Sequence, residues 1–171
     1  MSIIVTGAAG FIGSNFVKYL SDKNHDVMIL DSLTYAADVK NLTELDAKHY
    51  KLIIGDICDK KILKSVFPQI DYVVHFAAES HVDNSILSPD KFMSTNILGT
   101  HNLLEAAREH SIKKFLYVST DEVYGSIDSG TFVETDNYNP SSPYSASKAA
   151  AEHVISAISV SCNPLKIPIT S

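Results

Sequence analysis

The sequence has no tryptophan, only two cysteines and no apolar run approaching the ~20 residues that a membrane-spanning helix needs. Cys58 and Cys162 make no metal-like or redox-like spacing and read as buried thiols of a reducing compartment. The opening MSIIVTGAAG carries neither a basic leader nor a cleavage-like site, so cytoplasmic residence is the expectation. Positive charge is in deficit, with 14 Lys and Arg against 20 Asp and Glu and a net charge of −6. That balance weighs against nucleic acid or a membrane surface as the main partner. A small anionic ligand stays open, because backbone amides hold phosphate whatever the net charge. The seven histidines fall into no H-E-x-x-H or H-x-E…C-x-x-C pattern, so no metal is expected. His75, inside an apolar run, reads as a hydrogen-bonded core or cofactor-side residue, while His81 and Asp83 shape the loop that follows.

What is present is ordinary globular chemistry: 45% hydrophobic and 20% charged residues, in a length slightly above one domain. Short β-rich runs (Ile3 to Thr6, Val27 to Leu30, Leu52 to Ile54, Tyr72 to Phe76, Phe115 to Ser119) alternate with helical periodicity (Phe11 to Ser21, Asp59 to Phe67, Asp90 to His110, Tyr144 to Val160). Near-continuous hydrophobicity suits strands covered on both faces. The alternation predicts right-handed βαβ crossovers and a Rossmann-like, doubly wound α/β sheet flanked by helices. Residues 1–171 are expected to form one dinucleotide-binding domain. Lys166 to Thr170 reads as a sixth strand, and the sequence stops just after it, at Ser171. Ligands bind beyond the carboxyl ends of such strands, so the expectation is a domain truncated before the substrate domain that would form the far wall.

Directly after the first strand comes Gly7-Ala8-Ala9-Gly10-Phe11-Ile12-Gly13, opening a helix. Gly7 is expected to make the tight turn, Gly10 to let the backbone approach a pyrophosphate, and Gly13 to pack helix closely on strand. Strand before and helix after is the context that gives this spacing meaning. Asp31 ends the second strand, 18 residues after Gly13. A carboxylate there would accept from ribose hydroxyls and repel a 2′-phosphate, which favours NAD over NADP. The alternative for Asp31 is a turn or cap residue before Ser32.

Tyr144-x-x-x-Lys148 follows Ser141, Ser142 and Pro143, which suit the start of a helix. The i,i+4 spacing puts both side chains on one face. An ammonium about 6 Å from a phenol favours phenolate by roughly 2–3 kcal/mol at an effective dielectric of about 20, making a base from a weak acid. The alternative is an ordinary amphipathic helix. Upstream, Thr120, Asp121 and Glu122 end the fifth strand. Adjacent carboxyls raise one another's pKa, so one can serve as acid and the other as base, as elimination of water requires. A solvated acidic turn is the plain alternative.

GAAGFIGSN, DSLTYA, GDI, HFAAESHVDNSI, STDEVYG and YSASKA together resemble the extended short-chain dehydrogenase/reductase family, over Met1 to about Val154. The T-D-E triplet is similar to the branch that dehydrates a nucleotide-activated hexose such as dTDP-glucose to its 4-keto-6-deoxy form; Asn84 stands where many relatives carry Arg. The resemblance implies Phe11 and Ile12 at the pyrophosphate, Asp31, Ser32, Leu33 and Thr34 at the adenosine ribose, and Asp56 and Ile57 at the adenine. It implies Phe76, Ala77, Ala78, Glu79, Ser80 and Thr95 along the cofactor, with Ser80 and Thr120 touching substrate. Tyr144 would start oxidation at carbon 4 with Lys148 supporting it, Glu122 would take the carbon 5 proton, and Asp121 would protonate the leaving hydroxyl at carbon 6. The helices over 90–110 and 144–160 are similar to those the family pairs in a four-helix homodimer seam; covering the sheet is the alternative. A 4-epimerase of the same family and a non-catalytic NAD-binding or dimerising module are the rival functions.

Overall fold

In the computed structural model, which describes residues 2–46, 48–161 and 169–170, every strand pair is parallel and the sheet order is 3-2-1-4-5-6. The strands are β1 (Ile3–Thr6), β2 (Val27–Asp31), β3 (Tyr50–Ile54), β4 (Tyr72–His75), β5 (Lys114–Val118) and β6 (Ile169–Thr170). Cys162 and the first part of the expected sixth strand lie outside the described residues; Ile169 and Thr170 pair with Tyr117 and Val118. The doubly wound expectation holds, and the strand order reverses between β1 and β4, where such sheets place their ligand crevice.

Alternation along β1 builds two cores. Ile3 and Val5 join Val17 and Leu20 of α1 (Phe11–Asp22) on one face. Ile4 faces the other side, with Leu63 of α2 (Lys60–Val66), Leu103 and Leu104 of α5 (Thr100–Glu109), and Ile155 of α6 (Pro143–Ser161). Burial on both faces explains why these strands lack polar alternation. α6 starts as its sequence suggests: Ser142 Oγ accepts from Ser145 N at 3.0 Å, Ser145 Oγ accepts from Ser142 N at 3.0 Å, and Pro143 occupies the first turn.

The helix expected over 90–110 is not uniform. α4 (Pro89–Phe92) passes into a π-helical stretch, Met93–Gly99, before α5 begins. Thr100 Oγ1 donates to the Asn96 carbonyl at 2.6 Å, a side-chain claim on the helix's own acceptor of the kind that distorts the ladder. A short helix, α3 (Val82–Leu87), occupies the loop after β4. It escapes a periodicity search because Ile86 and Leu87 point outward and only Ser85 is buried. Cys58 is half-buried rather than buried, its thiol donating to the Ser94 carbonyl at 3.3 Å.

Candidate active site

A cleft of about 840 Å³ opens at the carboxyl ends of the strands, over the β1–β4 boundary. Gly7, Gly10 and Gly13 form its floor with Phe11 and Ile12. Gly7 has φ +69°, and a Cβ there would lie 2.5 Å from Ala77 N; only glycine lets β1 turn against the strand beside it. A Cβ on Gly13 would stand 2.4 Å from Gly7 O, so this glycine packs the helix on the turn itself rather than on the strand. Gly10 caps α1 with no side chain, leaving the first-turn amides free of any side-chain acceptor. Phe11 and Ile12 turn their side chains to solvent around that helix start.

Asp31, Ser32 and Thr34 line one end of the cleft with Asp56 and Ile57, and Phe76, Ala77, Ala78, Glu79, Ser80 and Thr95 line its wall. Leu33 does not. Its backbone is left-handed, φ +52°, and its side chain packs into the α1 core. Asp31 proves to be structural as well as cleft-lining: one oxygen accepts from Ala9 N and the other from Leu33 N, each at 2.8 Å. The carboxylate thus ties the glycine turn to the end of β2.

Tyr144 and Lys148, both buried, close the far end beside Val118 and Ser119. Lys148 Nζ donates to the Val118 carbonyl at 2.7 Å and lies 4.1 Å from the centre of the Tyr117 ring. Thr120, Asp121 and Glu122 are not part of the cleft lining; they sit at its rim, in a 3₁₀ turn (Asp121–Tyr124) where Thr120 Oγ1 accepts from Glu122 N at 3.3 Å. They nevertheless act on Tyr144 electrostatically, the Thr120 hydroxyl lowering its pKa and the two carboxyl charges raising it.

The electrostatics correct one expectation. Burial raises the Tyr144 phenol above its ordinary value, the Thr120 hydroxyl opposes this, and Glu122 and Asp121 add to the rise. Burial also pushes Lys148 down to about 7, against the raising charge of Glu152. A lysine pushed down to about 7 is only partly charged near neutrality, and burial of the phenol outweighs the lowering of Tyr144 that the spacing suggested.

Sequence reasoning missed the groups that brace this end. Asn96 and Thr100, on the distorted helix, join a buried chain: Thr6 Oγ1 bonds His75 Nδ1 at 2.7 Å, and His75 Nε2 bonds Thr100 Oγ1 at 2.9 Å. Because the Thr100 hydroxyl donates to Asn96 O, it accepts from Nε2–H, which leaves Nδ1 to accept from Thr6. The imidazole is held neutral, with burial foremost in pushing its pKa down to about 3. Lys91 and Ser94 also line the cleft without any motif to announce them. Among the described residues no helix is long and apolar enough to cross a membrane, and no cluster of three or more His, Cys, Asp or Glu is placed to hold a metal ion.

A parallel sheet of this order, with a glycine turn at its switch point and a Tyr-x-x-x-Lys helix across the cleft, defines a Rossmann-fold protein of the extended short-chain dehydrogenase/reductase type. Residues 4–165 match the family model described as GDP-mannose 4,6 dehydratase, and the chain belongs to that family. It is 49% identical over 157 residues to the low-salt glycan biosynthesis protein Agl12 of Haloferax volcanii, covering 91% of this chain and 51% of that protein. It is 45% identical over 162 residues to a dTDP-glucose 4,6-dehydratase of Mycobacterium tuberculosis, covering 92% and 48%. The crystal structure of DesIV, a dTDP-glucose 4,6-dehydratase from Streptomyces venezuelae with NAD and dTDP bound, superposes with a TM-score of 0.95 at 44% identity, over 99% of this chain and 54% of that one. UDP-glucose 4-epimerase from Thermus thermophilus, in complex with NAD, follows at 0.90 and 34%, over 99% and 54%. The chain spans about half the length of the relatives it matches.

Proposed function

We propose that this chain is the cofactor-binding half of an NAD-dependent 4,6-dehydratase acting on a nucleotide-activated hexose, with dTDP-glucose as the substrate to test first. The observation that carries the reading is the meeting, at one end of a dinucleotide-sized cleft, of Tyr144 and Lys148 with the Thr120-Asp121-Glu122 turn. The residues suit NAD. The glycine turn presents uncapped helix-start amides to a pyrophosphate, and the buried Asp31 carboxylate borders the cleft where an adenosine ribose would lie. When bound, NAD would supply the hydride acceptor and donor for carbons 4 and 6 and a cationic ring. Tyr144, steadied by the Thr120 hydroxyl, takes the proton of the carbon 4 hydroxyl. Lys148, fixed on the Val118 carbonyl, holds a ribose and offers its charge to the phenolate. Glu122 removes the carbon 5 proton, which a ketone at carbon 4 has made acidic, and Asp121 gives a proton to the departing carbon 6 hydroxyl.

The test is to incubate the full-length protein with dTDP-glucose and look for the 4-keto-6-deoxy product; a preparation carrying intact NAD that makes none overturns the reading. Likeness to 4-epimerases keeps a second reading in view. Glu122→Gln separates the two, because epimerisation needs Tyr144 and Lys148 but no elimination step. A dehydratase should lose roughly 10²- to 10⁴-fold in turnover, whereas an epimerase should keep most of its activity. The same reading carries with it a cytoplasmic enzyme paired as a homodimer through the faces of α5 and α6, which sedimentation of the full-length protein tests.

A further inference from the structure

One helical turn beyond Lys148 lies a buried carboxylate that the chemistry above does not use. Glu152 is 6% exposed, and i,i+4 spacing sets it on the Lys148 side of α6. Its Oε1 accepts from the Ser119 hydroxyl at the tip of β5, and its Oε2 accepts from the Tyr138 hydroxyl in the loop ahead of α6. Two hydroxyl donors satisfy a charge that would otherwise be costly to bury. Tyr138 meets Tyr124 edge-on with centroids 5.4 Å apart, and the neighbouring Asn139 N donates to Val123 O at 3.0 Å. Val123 and Tyr124 are the second half of the acidic turn, clustered with Ala149 of α6. One carboxylate therefore joins the strand tip that leads to Thr120, the loop behind Asp121 and Glu122, and the helix of Tyr144 and Lys148.

We propose that Glu152 is a positioning residue of this site, acting in two ways: through Ser119 and Tyr138 it fixes the acidic turn against the catalytic helix, and its buried carboxylate, one turn along α6, sets a negative charge beside Lys148. The first role rests on the dehydratase reading; the second rests on this chain alone. Around Lys148 the facing groups are Glu152 and Tyr144 on its own helix, the Tyr117 ring from β5, and the neutral His75 from β4. Around Glu152 they are Ser119, Tyr138 and Tyr117, with the His153 ring 5.2 Å from that of Tyr138. Glu152 is thus the carboxylate that opposes the desolvation of Lys148, and its influence on the lysine is a raising one.

The experiment follows the titration of Lys148 by NMR in full-length protein carrying ¹³Cε-labelled lysine, with the resonance assigned by its loss in Lys148→Met. Glu152→Gln keeps the shape and one acceptor oxygen, its NH2 donating to the second hydroxyl in place of accepting from it, and removes the charge, so the Lys148 midpoint should fall by ~1 pH unit or more. Glu152→Asp, which restores the charge, should recover most of that shift. In turnover of dTDP-glucose, E152Q should lower kcat at least ~10-fold with KM little changed, and its alkaline limb should move to lower pH in step with the NMR midpoint. Tyr138→Phe keeps the charge and loses one anchor: its Lys148 midpoint should match wild type while kcat falls. An unshifted midpoint in E152Q overturns the charge role, and a wild-type kcat in Y138F overturns the anchoring role even if E152Q does not fold. Wild-type protein that turns over no substrate sinks the dehydratase reading instead, and the lysine titration still decides the charge role.

Discussion

The carboxamide of Asn96 grips Glu79 by both of its main-chain groups: Oδ1 accepts from Glu79 N at 2.8 Å and Nδ2 donates to Glu79 O at 2.9 Å. The same Nδ2 donates to Ser147 Oγ at 2.8 Å, and Ser147 donates in turn to the Tyr144 carbonyl at 2.6 Å. A single side chain on the π-helical stretch thereby links the wall of the cleft to the helix that carries the proposed base.

Asn96 is 1% exposed, so no water stands ready to replace it. Asn96→Ala leaves an N–H, a carbonyl and a hydroxyl short of a partner, and the expected loss is about 2–4 kcal/mol. Asn96→Asp keeps the acceptor but turns a second oxygen toward the Glu79 carbonyl, and should cost at least as much. Urea unfolding of the three proteins measures this; a wild-type midpoint for N96A would show that the clamp carries no stability.

The three glycines of the turn should separate under alanine substitution. At Gly7 the left-handed φ and the Ala77 backbone 2.5 Å from a Cβ leave nowhere to go, and at Gly13 the obstacle is Gly7 O at 2.4 Å. Either substitution should destabilise by roughly 2–4 kcal/mol and abolish NAD binding with it. A Cβ on Gly10 meets its nearest atoms at 3.3 and 3.8 Å, so Gly10→Ala should keep nearly its full Tm while weakening NAD binding. Thermal unfolding and calorimetric titration with NAD distinguish the two behaviours. Equal Tm losses at all three positions would refute the division of labour.

What could be read from the sequence was whatever local periodicity encodes. Continuous apolar runs marked the five strands to within two residues at either end, and the strand-turn-helix context located the glycine turn. Spacing also put Tyr144 and Lys148 on one helical face. It could not show how deeply that face is buried, and burial is what reverses the expected effect on Tyr144. Leu33 turns its side chain into the α1 core because one left-handed residue redirects a side chain without leaving any trace in composition. Asn96, Glu152 and Tyr138 matter through partners 14 to 51 residues away, and nothing in one sequence announces such pairings.

His75 makes the protein acid-sensitive in a defined window. Its folded pKa of about 3 lies below the ordinary 6.5, so between those values the unfolded chain binds the extra proton. Stability is therefore complete above about pH 6.5 and is lost progressively as pH falls toward 3, by up to roughly 5 kcal/mol for this one group. His75→Gln, with an amide able to accept from Thr6 and donate to Thr100, should be less stable at pH 7 yet show a flatter acid limb. Denaturant unfolding at several pH values between 3 and 7 checks this, and parallel limbs in the two proteins would show that His75 does not titrate as proposed.

Lys148 should show the complementary behaviour on the alkaline side. Its folded pKa of about 7 lies below the ordinary 10.5, so from pH 7 to 10.5 the unfolded chain again holds more protons and stability rises with pH across that range. Below pH 7 the lysine is charged in both states, and the folded protein carries the full penalty of a buried ammonium. Replacing it with methionine removes that penalty along with the hydrogen bond to Val118 O and the contact with the Tyr117 ring. The gain in stability of Lys148→Met over wild type should therefore be largest near pH 6, about 1–3 kcal/mol, and should shrink steadily as the pH approaches 10. Activity should be lost at every pH. A gain that does not change with pH would mean that the ammonium is well solvated in the folded protein, and would remove the premise on which its dependence on Glu152 rests.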